Sequence, residues 1–310
     1  MDLSVINPAV LIASLMVAAT PILLAATGEL VVEKSGVLNL GVEGMMIIGA
    51  VCGYAVAVNT GSPFWGFVGA AFGGAALSLI FGVLTQYLMS NQVATGLALT
   101  LFGLGLSALI GTEYLLLRPP PVADLNFGPL ADIPAVGRIL FQHDLMVYFS
   151  LALVVAVWAF LKYTRAGLIL RAVGEGHDAA HALGYKVIHV RLMAIAFGGA
   201  CAGLGGAYLS LIRVPQWTEG MTAGAGWIAL AIVVFASWKP FWILVGAYLF
   251  GGVTVLQLNL QAAGLAVPVE YLSMSPYLIT ILVLVIMSSG RAKAALNAPK
   301  DLGRTFHASG

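Results

Sequence analysis

Apolar residues fill this chain in long blocks, and polar residues are confined to short clusters between them. Nine blocks stand out, at residues 9–27, 45–59, 64–88, 92–112, 144–162, 192–212, 222–238, 241–259 and 272–289. Most approach the roughly 20 apolar residues a helix needs to cross a bilayer. The breaks between them are physical. Asn59-Thr-Gly-Ser-Pro63 is a turn cluster, Pro119–Pro121 cannot continue a helix, and Lys239-Pro240 sets a charge and a helix breaker inside an apolar run. The pattern predicts an all-α polytopic membrane protein of about nine transmembrane helices.

Composition narrows this further. Of 310 residues 60% are hydrophobic and 9% charged, and the mean hydropathy is +0.99. A soluble domain carries roughly 25% charged residues, so this chain could not cover a water-facing surface. The net charge of +1 offers no basic field for nucleic acid. Cys52 and Cys201 lie in apolar runs and read as small core residues. Residues 1–8 lack the positive region of a cleavable signal, so the first block reads as a permanent helix.

Basic residues set the orientation. Eleven of them, including Lys34, Lys162, Arg165, Arg171, Lys186, Arg191 and Lys239, fall on one side, and Arg118, Arg138 and Arg213 on the other. The richer side is cytoplasmic, which puts the N-terminus outside and the C-terminus inside. The chain then divides into a first half 1–112, an external loop 113–143, a bridging helix 144–162, a cytoplasmic loop 163–191, a second half 192–289 and a cytoplasmic tail 290–310, all one membrane domain.

The tripeptide Glu-Gly-Met occurs twice, at Glu43–Met45 and Glu219–Met221. Each copy opens a short apolar block; 45–59 would rise only about 22 Å. Under this topology Glu43 lies toward the cytoplasmic face and Glu219 toward the external one, an inverted repeat with part of Gly28–Gly44 dipping into the membrane as broken helix. Such paired, glycine-interrupted segments point to a solute site at the repeat interface. Glycine pairs such as Gly69/Gly73 and Gly199/Gly203 predict close helix contacts.

Covalent chemistry is not evident. No Walker A sequence, nucleophile elbow or H-E-x-x-H occurs. The run Gly198–Gly206 resembles a dinucleotide fingerprint, but it sits mid-block with no preceding strand and reads as packing. His177 and His181 stand one helical turn apart without convincing further metal ligands. Span interiors carry essentially no charge, and Glu29, Glu33, Glu43 and Glu219 fall at or beyond span ends. Neutral groups remain: Asn39, Asn91, Gln92, Thr95, Thr222, Gln257 and Asn259. These suit an uncharged polar solute with energy supplied from elsewhere. The cytoplasmic loop holds a compact helix-forming stretch, Gly176–Leu183, bracketed by glycines, which reads as a lever for a partner. The proline-stiffened external loop reads as either a docking site or a plain connector.

Four blocks carry a resemblance to a known family: Gly28–Met46, Asn91–Leu99, Thr164–Glu175 with Ala179–Gly184, and Glu219–Ala229. In this order they resemble permease subunits of bacterial ABC importers in the ribose/branched-chain amino acid permease superfamily, most closely its simple-sugar and nucleoside branch. Gly176-His177 departs from the usual Asn-Pro, and Lys34 from the usual Arg. The resemblance implies an inner-membrane subunit that catalyses no reaction and needs no cofactor of its own. It further implies a second permease (a paralogue in the family pattern), an ABC ATPase with two nucleotide-binding sites that holds ATP and Mg, and an extracytoplasmic substrate-binding lipoprotein. Arg171–Gly184 would be the coupling helix, with Arg171, Val173, Gly174, Glu175, His177, Ala180 and Gly184 in contact with the motor. Asn39, Glu43, Asn91, Gln92, Thr95, Glu219 and Thr222 would line the solute pathway. A branched-chain amino acid permease, an ion-coupled carrier and a non-transport scaffold are the alternatives.

Overall fold

The computed structural model describes residues 8–125, 127–131, 133, 136–262, 274, 278, 281, 282, 285 and 298–307. Among them the fold is helical throughout, save one bridge that pairs Asp124 with Asp144. The helices are α1 Pro8–Lys34, α2 Val42–Thr60, α3 Pro63–Gln86, α4 Gln92–Gly111, the short α5 Val136–Leu140, α6 Leu145–Tyr163, α7 Arg165–Glu175, α8 His177–Ala182, α9 Val187–Tyr208, α10 Ala225–Phe235 and α11 Pro240–Ala262. Seven of them are long and apolar enough to cross a membrane, whereas α10 is apolar but short. The expected block 272–289 lies, but for isolated positions, outside the described residues.

Local chemistry sets several boundaries. Gly61 takes a left-handed φ of 65° to end α2, and Pro63 opens α3 where a missing N–H costs nothing. Asn91 caps α4 by accepting from the Ala94 N–H. Asp144 caps α6 by accepting from Met146 and Val147, and its other oxygen accepts from the Tyr208 hydroxyl at 2.8 Å.

Small residues bring the central helices together. A Cβ on Gly49 of α2 would collide with the Gly203 backbone of α9, and one on Gly206 with the Met46 carbonyl. Gly199 and Gly203 face α3, while Gly69 and Gly73 of α3 face Val56 and Cys52 of α2. Both expected glycine pairs thus lie at helix contacts. Apolar helices in lipid gain little from burying more hydrocarbon, so close backbone approach supplies the attraction.

Two expectations change here. First, α1 does not stop at residue 27 but continues to Lys34, so Glu29 and Glu33 sit inside a membrane helix, each 1% exposed. The reason is that Leu30, Val31 and Val32 are buried on the same two turns, and that the carboxylates find partners. The Trp238 indole N–H donates to Glu33, and Asn39 reaches Glu29 through backbone and side chain. Span interiors therefore do hold ionisable side chains. Second, only residues 35–41 of the Gly28–Gly44 stretch leave the helix.

Candidate functional site

Loop 35–41 climbs inside the bundle rather than lying at its end. Gln92, at the first turn of α4, accepts from the Leu38 N–H at 2.8 Å, and Thr100, two turns higher, donates to the Leu40 carbonyl at 3.2 Å. The loop so rises along α4, by at most about 7 Å between Leu38 and Leu40. Asn39 holds its turn by accepting from the Gly41 N–H and donating to the Met45 sulfur. Helix α2 then starts halfway up the bundle, where Gly44 packs on Leu99 and Thr100.

From the other half, residues 214–224 come down to meet it. Trp217 is fully buried and packs against Gly111 at the far end of α4. Gly220 and Gly224 then turn the chain with φ of 64° and 83°. The Glu43 carboxylate takes the descending segment directly. Its Oε1 accepts from the Thr222 hydroxyl at 2.5 Å and the Gly224 N–H at 2.9 Å; its Oε2 accepts from the Gly226 N–H at 2.6 Å. Glu43 thus caps the N-terminus of α10, where an anion also meets the positive end of the helix.

From this meeting point the two helices diverge. Helix α2 ends beside Tyr114, where Asn59 donates to the Tyr114 hydroxyl. Helix α10 spans about 16 Å the other way, toward Trp238 and Glu33 at the Lys34 end of α1. Two broken helices of opposite direction therefore share one buried carboxylate. This corrects the expected placement of the two Glu-Gly-Met copies on opposite faces. The second copy re-enters the bundle because Gly220 and Gly224 allow the turns, and Glu43 is lifted off the face by the climbing loop. Glu219 itself is exposed and belongs to a turn, with no hydrogen bond in that junction among the described residues.

A second cluster closes the Lys34 end. Arg191 of α9 is fully buried and donates to the Ser35 carbonyl at 3.2 Å, Gln86 Oε1 at 3.3 Å and the Arg304 carbonyl at 3.1 Å. Its Nη2 lies 3.2 Å from His177 Nδ1. The tail segment 298–307 runs across this cluster. Asp301 donates its N–H to the Gly174 carbonyl and accepts from the His177 N–H at 2.8 Å; Gly303 donates to the Gly36 carbonyl. Phe306 is buried against Val173, Ala180 and Val187, and its ring meets the edges of His177 and His181. Burial first, and the Arg191 cation second, lower the His177 pKa, against the opposing pull of Asp301 and Asp178.

The candidate residues sort by geometry. Asn39, Glu43, Gln92 and Thr222 are buried, and their polar atoms hold the broken helices. Asn91 caps α4, Thr95 shares a 2.8 Å contact with Ser90, and Glu219 stands apart. In the α7–α8 segment, Val173, Gly174, His177 and Ala180 face the chain's own interior, where a Cβ on Gly174 would strike the Lys34 carbonyl. Arg171, Glu175 and Gly184 point outward beside Leu168 and Leu183, which are 60% and 77% exposed. Sequence reasoning missed Arg191, Asp301 and Trp217 as structural centres. One signal was available for Arg191, a lone cation within an otherwise apolar helix.

Comparison with known proteins adds the following. Residues 11–287 match the family model described as branched-chain amino acid transport system / permease component. A putative glucose ABC transporter permease, TsgC13 of Haloferax volcanii, is 44% identical over 80% of this chain and 77% of its own. The guanosine ABC transporter permease NupQ of Bacillus subtilis is 32% identical over 91% of each. A second guanosine permease of that organism, NupP, is 24% identical over 92% of this chain and 83% of its own.

Proposed function

The chain belongs to the permease-component family of branched-chain amino acid transport systems, and on that premise we propose that it forms half of the translocation pathway of an ATP-driven importer for nucleosides or related simple sugars. The relatives named for glucose and guanosine favour that solute class over branched-chain amino acids. Two guanosine permeases in one organism support a pair of unlike permeases as the working unit. ATP and Mg act on a partner ATPase with two nucleotide sites, and an extracytoplasmic lipoprotein delivers the solute.

One observation carries the mechanism: oppositely directed broken helices meet at Glu43 inside the bundle. Asn39, Glu43, Gln92 and Thr222 serve the pathway by fixing those helix ends rather than as solute ligands, because their polar atoms are already engaged. The exposed face of α7–α8, with Arg171 and Glu175, seats on the ATPase. Gly174 passes that motion to α1 and loop 35–41 through backbone contact. The tail and α7–α8 lie in the cytoplasm, as the eleven basic residues against three indicate.

Reconstitution in liposomes tests this. Uptake of guanosine or glucose should need the partner ATPase, the delivery lipoprotein and ATP together. Uptake by this chain alone under an ion gradient would overturn it.

A further inference from the structure

At the end of the bundle opposite α7–α8, a cleft of about 590 Å³ opens between α1, α11, the end of α9 and the segment before α6. Its walls are of two kinds. Val17 and its apolar neighbours on α1 and α11 line one part; Arg213, His143, Gln142, Asn259 and Ser14 line the other. Arg213 ends a turn in which α9 widens to a π-helix, Leu209–Arg213, a distortion often found where a helix serves a site. Its half-buried guanidinium makes no hydrogen bond or ion pair among the described residues. Among the described residues no carboxylate lines the cleft, and the nearby Asp144 is committed to the α6 cap and Tyr208.

Unspent donors surround this cation. Gln142 and Asn259 each donate one amide hydrogen to a backbone carbonyl, Ala131 and Val255, which leaves each a second. His143 Nε2 bonds the Ile139 carbonyl and leaves Nδ1 as an acceptor. A partly desolvated arginine without a counter-charge attracts an oxyanion, and its planar fork fits phosphate. The adjoining apolar wall suits an acyl chain. A zwitterionic headgroup would bring a cation for which the lining holds no acid.

We propose that this cleft binds an anionic phospholipid of the phosphatidylglycerol type, its phosphodiester on Arg213 and the start of an acyl chain along α1 and α11. The remaining acceptors suit headgroup hydroxyls. The inference rests on the membrane reading of the chain and not on the identity of its solute. A free phosphate shares the headgroup chemistry but would leave the apolar wall unused.

The test uses the full purified chain in detergent, by native mass spectrometry and thermal unfolding, independent of uptake. Added phosphatidylglycerol should be retained and should raise the melting temperature, whereas phosphatidylcholine or inorganic phosphate should do neither. Arg213→Gln should weaken phosphatidylglycerol retention at least about tenfold, and Arg213→Lys should keep most of it. Should Arg213→Gln elute as aggregate, Asn259→Leu serves instead and should lower retention by a smaller factor. Equal retention of both lipids in the two Arg213 variants would overturn the proposal, as would stabilisation by inorganic phosphate alone.

Discussion

Glu43 and Arg191 are both buried charges that gather chain from distant parts of the sequence, yet they hold different things. The anion at Glu43 accepts from one hydroxyl and two backbone N–H groups of the opposite half, all inside the bundle. The cation at Arg191 donates to loop 35–41, α3, α8 and the tail at one end of it. Thr222 and Gly226 are buried and Gly224 is half-buried, so the junction cannot part from Glu43 without exposing core. Two of the partners of Arg191, the tail and α8, lie at the surface and can be released locally. The first junction is built as a fixed pivot and the second as a latch. That division of labour is what the proposed rocking about a central pathway would require.

Removal of each charge should expose that difference. Glu43→Ala leaves three donors facing no acceptor in an apolar interior, a loss of about 3–5 kcal/mol. It should lower the melting temperature of the whole bundle and abolish uptake. Glu219→Ala, at an exposed turn, should stay within about 0.5 kcal/mol of the parent. Equal losses from both would mean that the two Glu-Gly-Met copies serve alike and that the pivot is misplaced. Arg191→Met should act at the latch instead. Trypsin cleavage at Arg304 should accelerate on the order of tenfold while the bundle still melts cooperatively; a global collapse with no selective tail release would erase the distinction.

How much of this was legible beforehand follows the same line. Long apolar blocks give the helices, because burial in lipid demands them wherever 20 such residues occur. Short blocks and repeated Glu-Gly-Met marked the broken helices, and the four matching motifs marked the family. What the blocks could not give was depth. A tripeptide says nothing of whether its glutamate caps its own helix or another's. Glu43 caps α10 because a climbing loop lifts it along α4, while Glu219 is left in a turn. Charge also misled at α1 and α9. Glu29, Glu33 and Arg191 look like span ends until their partners are known: Trp238 and Arg304 are far away in sequence, and Asn39 reaches Glu29 only because the chain turns back after α1.

Gly174 connects latch to lever, and its substitution should have a more selective effect. Its Cα side abuts the Lys34 carbonyl, and its own carbonyl accepts from Asp301. Gly174→Leu forces α7 away from α1 at a cost of about 1–3 kcal/mol, small beside the loss at Glu43. ATP hydrolysis by the assembled transporter should persist while uptake falls. Intact uptake would show that α7 moves α1 by some other contact, and would leave the exposed Arg171 and Glu175 as the only link to examine.

The smallest effect should be one of pH, and it should appear at the latch alone. His177 is a titratable group there whose pKa the fold lowers, with Arg191 of α9, Asp301 and Arg304 of the tail, and Asp178 of its own helix around it. Burial under the docked tail disfavours the imidazolium, against the Asp301 carboxylate 3.0 Å from Nδ1; release removes the burial that the tail supplies and moves the group back toward its ordinary value near 6.5. The released state therefore binds more protons as the pH falls through that value. Docking is at full strength above it and weakens progressively below. Hydrogen exchange at Asp301 and Gly303, corrected for the intrinsic rate, should accelerate between about pH 7 and about pH 5, while amides of α2 and α10 hold their protection. The acceleration should vanish in His177→Asn, which keeps a polar amide near the Nδ1 position without a proton to gain. If amides around Glu43 loosen in step with the tail, pivot and latch are one cooperative unit rather than two.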